Sequence, residues 1–161
     1  MRIILYIFYL YLLAFYNTIL GDMISIYGIT IDLAGLLVIL IAIYRGETTA
    51  LWFAIGTAVI ASTQRLDLMP WEIFSLCAIT VIAKQISTRI NLDSIPSRLI
   101  IIVSLLLVHN IVITLAISSD EFVYVLYRYI LPGAGYTLLL GWLLLLFGDG
   151  LISVRKVKVL S

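Results

Sequence analysis

Charged residues are scarce in this sequence. Only 12% of its 161 residues are Asp, Glu, Lys or Arg, whereas 63% are hydrophobic. A soluble globular domain carries about 25% charged residues, so this chain lacks the surface of a soluble protein, and we predict an integral membrane protein. The net charge of +1 gives no reason to expect nucleic acid as a partner.

Cysteine and recognisable catalytic motifs are also lacking. Cys77 is the one cysteine, which excludes an internal disulfide, and no Cys/His cluster has the spacing of a metal site. The sequence contains no G-x-S-x-G, no H-E-x-x-H and no Walker loop. The single histidine, His109, has no nucleophile and orienting carboxylate on its own helix face. We therefore predict a protein that is not an enzyme and that has no catalytic residues, no metal site and no cofactor.

Long apolar runs dominate what is present. Because lipid cannot satisfy backbone polar groups, helices are the expected form. A hydrocarbon core of about 30 Å needs about 20 helical residues, and the third run is short at about 21 Å. The N-terminal run exceeds a signal-peptide h-region and is followed by no A-x-A-like cleavage site, which favours an uncleaved span. We predict one all-α polytopic domain over residues 1–161, a six-transmembrane-helix bundle with these spans: Ile3–Leu20, Ile24–Tyr44, Thr49–Ser62, Pro70–Ile86, Leu99–Ile117 and Gly133–Phe147.

The basic residues predict the orientation of these spans. With the N-terminus inside, only Arg65 and Arg128 lie outside, which agrees with the positive-inside rule. We therefore expect both termini in the cytoplasm. The residues then on the inner side are Arg2, Arg45, Lys84, Arg89, Arg98, Arg155, Lys156 and Lys158.

The stretch "FVYVLYRYILPGAGY" precedes the last span. Pro132 and the glycines after it indicate a helix break. Tyr124, Tyr127 and Tyr129 are typical of the headgroup level. We predict a short interfacial helix on the outer face before the sixth span; the alternative is one long, kinked helix.

Asp32 opens the second span, where an ionised carboxylate is costly unless it has a role. Thr30 is a possible N-cap, which would place Asp32 in the first helical turn, where the helix dipole favours an anion. If the helix began nearer Ile24, Asp32 would lie deeper and would need a partner such as Arg65 or Arg128. We favour a structural role as cap or ion-pair partner over proton or substrate handling.

Three further polar residues occur in apolar surroundings. His109 and Asn110 lie in the middle of the fifth span, where an interhelical hydrogen bond is favoured over a proton relay. Glu72 follows Pro70 and is expected near a helix N-terminus; a cation site shared with Asp32 is the alternative.

The third span carries a stripe of small residues, and the inner face carries a basic rim. Ala50, Ala54, Ala58 and Ser62 recur every four residues, which favours close internal packing over a partner interface. The rim consists of Lys84, Arg89 and Arg98. The rim is expected either to set the orientation in the membrane and contact anionic lipid, or to dock an acidic cytoplasmic partner.

A carboxylate, Asp32, opens span two, Arg45-Gly46 closes it, and Leu131-Pro132 leads into the last span. This order resembles the family of the bacterial rod shape-determining protein MreD. Phe53 and Gly56 resemble the family's Gly-Phe-x-x-Gly region, with Trp52 in place of the first glycine. The matching later segments are the basic connector Ala83–Leu106 and the terminal segment Leu126–Phe147, in which Leu131-Pro132 is the clearest point. Ile31 in place of the usual proline and Ile60 in place of an acidic residue mark a divergent member.

The resemblance implies a non-enzymatic adaptor in the bacterial cytoplasmic (inner) membrane. Such proteins bind MreC, a bitopic partner, and link wall synthesis outside to an actin-like filament inside. The fold is expected to be similar to that of the substrate-binding S-components of energy-coupling-factor transporters, so a vitamin-binding subunit is the alternative. The expected partner-binding residues are Trp71, Tyr124, Tyr127 and Tyr129 with the basic rim; membrane lipids and a homodimer are further possible partners.

Overall fold

A computed structural model describes residues 2–25, 27–90, 94–117 and 120–148. This part of the chain is all-helical, as the composition predicts. Several helices continue into one another through single turns of π or 3₁₀ geometry. The elements are α1 (Arg2–Phe15), a π turn (Tyr16–Leu20), α2 (Gly21–Ile24), α3 (Leu33–Tyr44), α4 (Glu47–Ala61), two 3₁₀ turns (Ser62–Gln64 and Leu66–Leu68), α5 (Met69–Arg89), α6 (Ile95–Ile117), α7 (Phe122–Val125), a second π turn (Leu126–Ile130) and α8 (Leu131–Gly148).

Three helical stretches within the described residues are long and apolar enough to cross a bilayer: Leu66–Arg89, Ile95–Ile117 and Phe122–Phe147. Two shorter apolar helices, Tyr6–Leu20 and Leu33–Tyr44, accompany them. These helices indicate a helical membrane protein, as the composition predicts.

The short helix α3 lies at the centre of the bundle. It contacts α4, α5, α6 and α8, and its side chains Leu36, Val38 and Ile39 are fully buried. A helix that is apolar on all sides is expected in such a position. Its 12 residues extend only about 18 Å. This length suits a helix whose ends are surrounded by protein rather than by lipid.

The start of α3 differs from the predicted second span. Helix α2 ends at Ile24, and among the described residues that follow, the next helix begins at Leu33. Between them, Tyr27 and Gly28 adopt positive φ values of 55° and 78°, which form a turn that a continuous helix cannot contain. Ile24, the start of the predicted apolar span, is therefore not the start of the helix, whereas the favoured start near Thr30 is close to the observed one.

The small-residue stripe of α4 faces the interior. Ala50, Ala54 and Ala58 are fully buried and Ser62 is 2% exposed. Helix α4 makes its most extensive contacts with α5, and small side chains allow the two helices to approach closely. The preference for internal packing is confirmed.

The last helix corrects the prediction of a separate interfacial helix. Helix α7, the second π turn and α8 follow one another without a break from Phe122 to Gly148. Pro132 lies in the first turn of α8 and has no N–H to donate, so the preceding turn widens and Leu131 N–H bonds to the carbonyl of Leu126. The alternative of one long helix is therefore the observed form, because a π turn accommodates the proline without ending the helix.

Candidate functional site

Polar side chains from four helices meet at the end of the bundle where α3 begins, which we call the Asp32 end. The opposite end, where α3 terminates, is the Arg45 end. The polar cluster at the Asp32 end consists of Asp32, Glu72, Ser75, His109, Asn110 and Thr137.

Asp32 is the N-cap of α3. Its Oδ1 accepts a 2.8 Å hydrogen bond from the backbone N–H of Gly35, which satisfies one of the free N–H groups of the first turn. Gly35 permits this geometry, because a Cβ there would lie 2.8 Å from Oδ2 of Asp32 and 2.7 Å from Cδ2 of Leu106. The structure thus places Asp32, rather than Thr30, in the capping position.

Two other helices hold Asp32 from the side. Asn110 of α6 donates from Nδ2 to Oδ2 of Asp32 over 2.9 Å and also contacts the Leu106 carbonyl at 3.0 Å. Thr137 of α8 accepts the backbone N–H of Asp32 at 2.9 Å and donates to the carbonyl of Gly133 at 2.8 Å. Asp32 therefore ties α3 to both α6 and α8, and its side-chain partner is an amide rather than Arg65 or Arg128.

His109 is held between two residues of α5. Its Nδ1 lies 2.8 Å from Oγ of Ser75, and its Nε2 lies 3.5 Å from Oε2 of Glu72. His109 and Ser75 are 4% and 2% exposed. The row Ser75–His109–Glu72 contains the residue types of a hydrolytic triad, but a reactive hydroxyl must be within reach of a substrate. The burial of Ser75 therefore favours a structural hydrogen-bond network.

Glu72 is the least satisfied member of the polar cluster. It lies in the first turn of α5, as expected from Pro70, but that helix has no side-chain cap hydrogen bond. Its carboxylate reaches toward His109 instead, and Oε2 is buried with no hydrogen-bond partner. Since a buried carboxylate needs compensation, this oxygen is the point in the polar cluster most suited to accept a ligand donor or a proton.

A cleft of about 300 Å³ opens beside the polar cluster. Among the described residues it has no lysine or arginine in its lining, so the two carboxylates make it acceptor-rich. No group of three potential metal ligands occurs in the described part of the chain. The cleft suits a small neutral or cationic donor. Its lining includes Tyr16, Asp32, Gln64, Glu72, His109 and Asn110.

The expected partner-binding aromatics lie on different helices. Trp71 on α5 is half exposed, and Tyr124 and Tyr127 are 51% and 69% exposed on the last helix. Arg128 lies over the rings of Tyr124 and Tyr129, at 5.3 Å and 5.8 Å from their centroids, a cation–π arrangement. No ring contact joins Trp71 to these tyrosines in the described structure, so the aromatics do not form one continuous cluster.

Two residues of the basic rim have intramolecular roles at the Arg45 end. Lys84 donates from Nζ to the carbonyl of Arg45 over 2.8 Å, next to the C-terminus of α3, where a cation is favoured. Arg98 donates to the hydroxyl of Tyr44 at 2.8 Å and lies 5.7 Å from the ring centroid. Arg89 is exposed in the last turn of α5.

Sequence reasoning missed Ser75 and Thr137. Both are buried hydroxyls in apolar helices, and neither has a local pattern that distinguishes it from a hydroxyl bonded to its own helix. The only available signal was position: Ser75 is three residues after Glu72 and Thr137 five after Pro132. The hydrogen-bond partners of these hydroxyls depend on which helices pack against each other, and only the three-dimensional structure shows this.

No protein-family model matches this chain, and neither a curated protein nor a solved structure matches it.

Proposed function

We propose that this protein is a non-enzymatic membrane adaptor of the bacterial cell-elongation machinery, similar to MreD. It would bind an MreC-like bitopic protein in the cytoplasmic membrane and link it to wall synthases outside and an actin-like filament inside. The observation that carries the proposal is the order of Asp32, Arg45-Gly46 and Leu131-Pro132 along the chain, which resembles that family.

Each of these residues has a structural role in the fold. Asp32 caps the buried central helix, Arg45 ends it, and Pro132 follows the π turn of the last helix. The buried position of Ser75 gives no support for hydrolysis. These features favour a scaffold whose polar groups hold the bundle together.

In this proposal the chain crosses the membrane six times, with both termini in the cytoplasm. The Asp32 end faces outward, and the Arg45 end faces the filament. The exposed aromatics Trp71, Tyr124 and Tyr127 would then meet the outer part of the partner, since aromatic residues are enriched at binding hot spots.

Depletion in a rod-shaped host tests this proposal. We expect depleted cells to become round and wide, and wild-type protein supplied from a plasmid to restore the rods. Rods that persist at undetectable protein levels would contradict the adaptor role.

The cleft favours a second candidate, a vitamin-binding subunit similar to the S-components of energy-coupling-factor transporters. Its support is the buried, unpartnered Oε2 of Glu72 beside a cleft of about 300 Å³, a volume at the lower end of ligand sites. Depletion would then abolish uptake of one vitamin and leave cell shape unchanged. The substitution Glu72→Gln would weaken that uptake, whereas Glu47→Gln, an exposed carboxylate outside the cleft, would not.

A further inference from the structure

Two apolar grooves flank helix α1 at the Arg45 end. The first, of about 620 Å³, lies between α1 and α4. The second, of about 560 Å³, lies between α1, α3 and α8. Both volumes are in the range of about 300–1,000 Å³ that ligand sites occupy. Three residues, Tyr6, Tyr44 and Arg45, line both grooves.

The residues beyond this shared wall are mainly apolar. The first groove has Leu10, Trp52 and Phe53, and Trp52 is 72% exposed. The second has aliphatic side chains of α3 and α8, such as Leu40 and Leu144. Such walls fit hydrocarbon chains, because they offer dispersion contacts and no buried polar groups.

The point where the grooves meet is cationic. The side chain of Arg45 is exposed and has no hydrogen bond or ion pair with another residue that the structure describes. Lys84 bonds to the Arg45 carbonyl, and Arg98 bonds to the hydroxyl of Tyr44. Among the described residues no Asp or Glu lines either groove; Glu47, two residues after Arg45, is outside both linings.

We infer that this site binds one anionic diacyl phospholipid, with a chain in each groove and its phosphate on Arg45. A guanidinium is well suited to a phosphate, because it presents several donors in a planar fork. Two grooves that converge on one unpartnered cation match a molecule with two chains and one anionic head. The inference does not depend on the proposed function.

Quenching of Trp52 by nitroxide-labelled lipids tests the site. The substitutions Trp71→Phe and Trp142→Phe leave Trp52 as the only tryptophan, and the protein is reconstituted in phosphatidylcholine vesicles. Labelled phosphatidylglycerol should quench Trp52 at about one-fifth of the mole fraction that labelled phosphatidylcholine requires, since one basic residue near the surface favours anionic lipid by about that factor. A protein that retains only Trp71, at the Asp32 end, should show no such preference.

The substitutions Arg45→Gln and Arg89→Gln distinguish binding at a specific lipid site from general electrostatic attraction of anionic lipid to this end of the bundle. Arg45→Gln should abolish the preference at Trp52, whereas Arg89→Gln, also basic and exposed at the same end, should preserve it. Equal quenching by both lipids in the parent protein would overturn the inference, and so would equal losses in the two variants. Absence of quenching by either lipid would show that a protein helix or a second copy covers the groove, which also overturns it.

Discussion

Asn110 on α6 donates a 2.9 Å hydrogen bond to the carboxylate of Asp32 at the start of α3. The same carboxylate caps α3 through Gly35. The Asp32 side chain thus satisfies a helix terminus and joins α3 to α6 through a residue 78 positions away in sequence. Without these hydrogen bonds, the Asp32 carboxylate would be an uncompensated charge in an apolar environment, which is costly in a membrane protein.

This pairing predicts energetic coupling between Asp32 and Asn110. We expect the single substitutions Asp32→Ala and Asn110→Ala to lower the free energy of unfolding in detergent, and the double substitution to cost less than their sum. The coupling energy should be about 1 kcal/mol, within the range for interhelical hydrogen bonds in membranes. Strictly additive costs in an SDS-unfolding titration would contradict the pairing.

The cap itself predicts a mild effect of Asp32→Asn. The amide oxygen still accepts the Gly35 N–H, but the new NH2 group faces the Nδ2 donor of Asn110. The lost hydrogen bond should cost about 1 kcal/mol, and the protein should fold and keep most of its function. Normal amounts of folded variant with complete loss of complementation in depleted cells would instead indicate a working carboxylate.

The close approach at Gly35 predicts that Gly35→Ala destabilises the bundle. The added methyl would meet both the Asp32 carboxylate and Leu106, and overpacking of this kind costs about 1–3 kcal/mol. Gly135→Ala is the matched control, because a Cβ there meets nothing within 4 Å. The midpoint of unfolding in SDS should fall for the first variant only; equal midpoints would show that α6 moves freely away from α3.

The burial of His109 predicts a penalty for Ser75→Ala. The variant leaves the imidazole Nδ1 without its partner in an interior site, and a buried unsatisfied polar group costs about 1–3 kcal/mol. Ser104→Ala on α6 removes an exposed hydroxyl that bonds only to the Ile100 carbonyl, so it should change stability by less than about 0.5 kcal/mol. Thermal unfolding of both variants in the same detergent measures the difference.

The proposed orientation predicts which ends of the bundle face outward. In a Cys77→Ser background, a cysteine at the exposed Thr63 near the Asp32 end should react with an impermeant maleimide in intact cells. A cysteine at Thr88, exposed near the end of α5, should react only after lysis. The reverse pattern would invert the topology.

The sequence predicts the helices well and their contacts poorly. Apolar runs identify the membrane segments because burial in lipid requires them, and the small residues of α4 indicate close packing. The partners of Asp32 and His109 come from α5, α6 and α8, however, and depend on helix rotations that no local pattern encodes. The apolar run alone starts the second span too early, at Ile24, because a turn can interrupt such a run without altering its hydropathy. The π turn before Pro132 was missed because a helix can continue past a proline in the same way.

The central claim, an adaptor that binds a single-span partner, is tested most directly by affinity purification from native membranes. A tagged chain is extracted in mild detergent, and the retained proteins are identified by mass spectrometry. The account predicts an MreC-like bitopic protein at comparable abundance and no transport ATPase. Recovery of an ATPase module together with a bound vitamin, and of no bitopic protein, would contradict it.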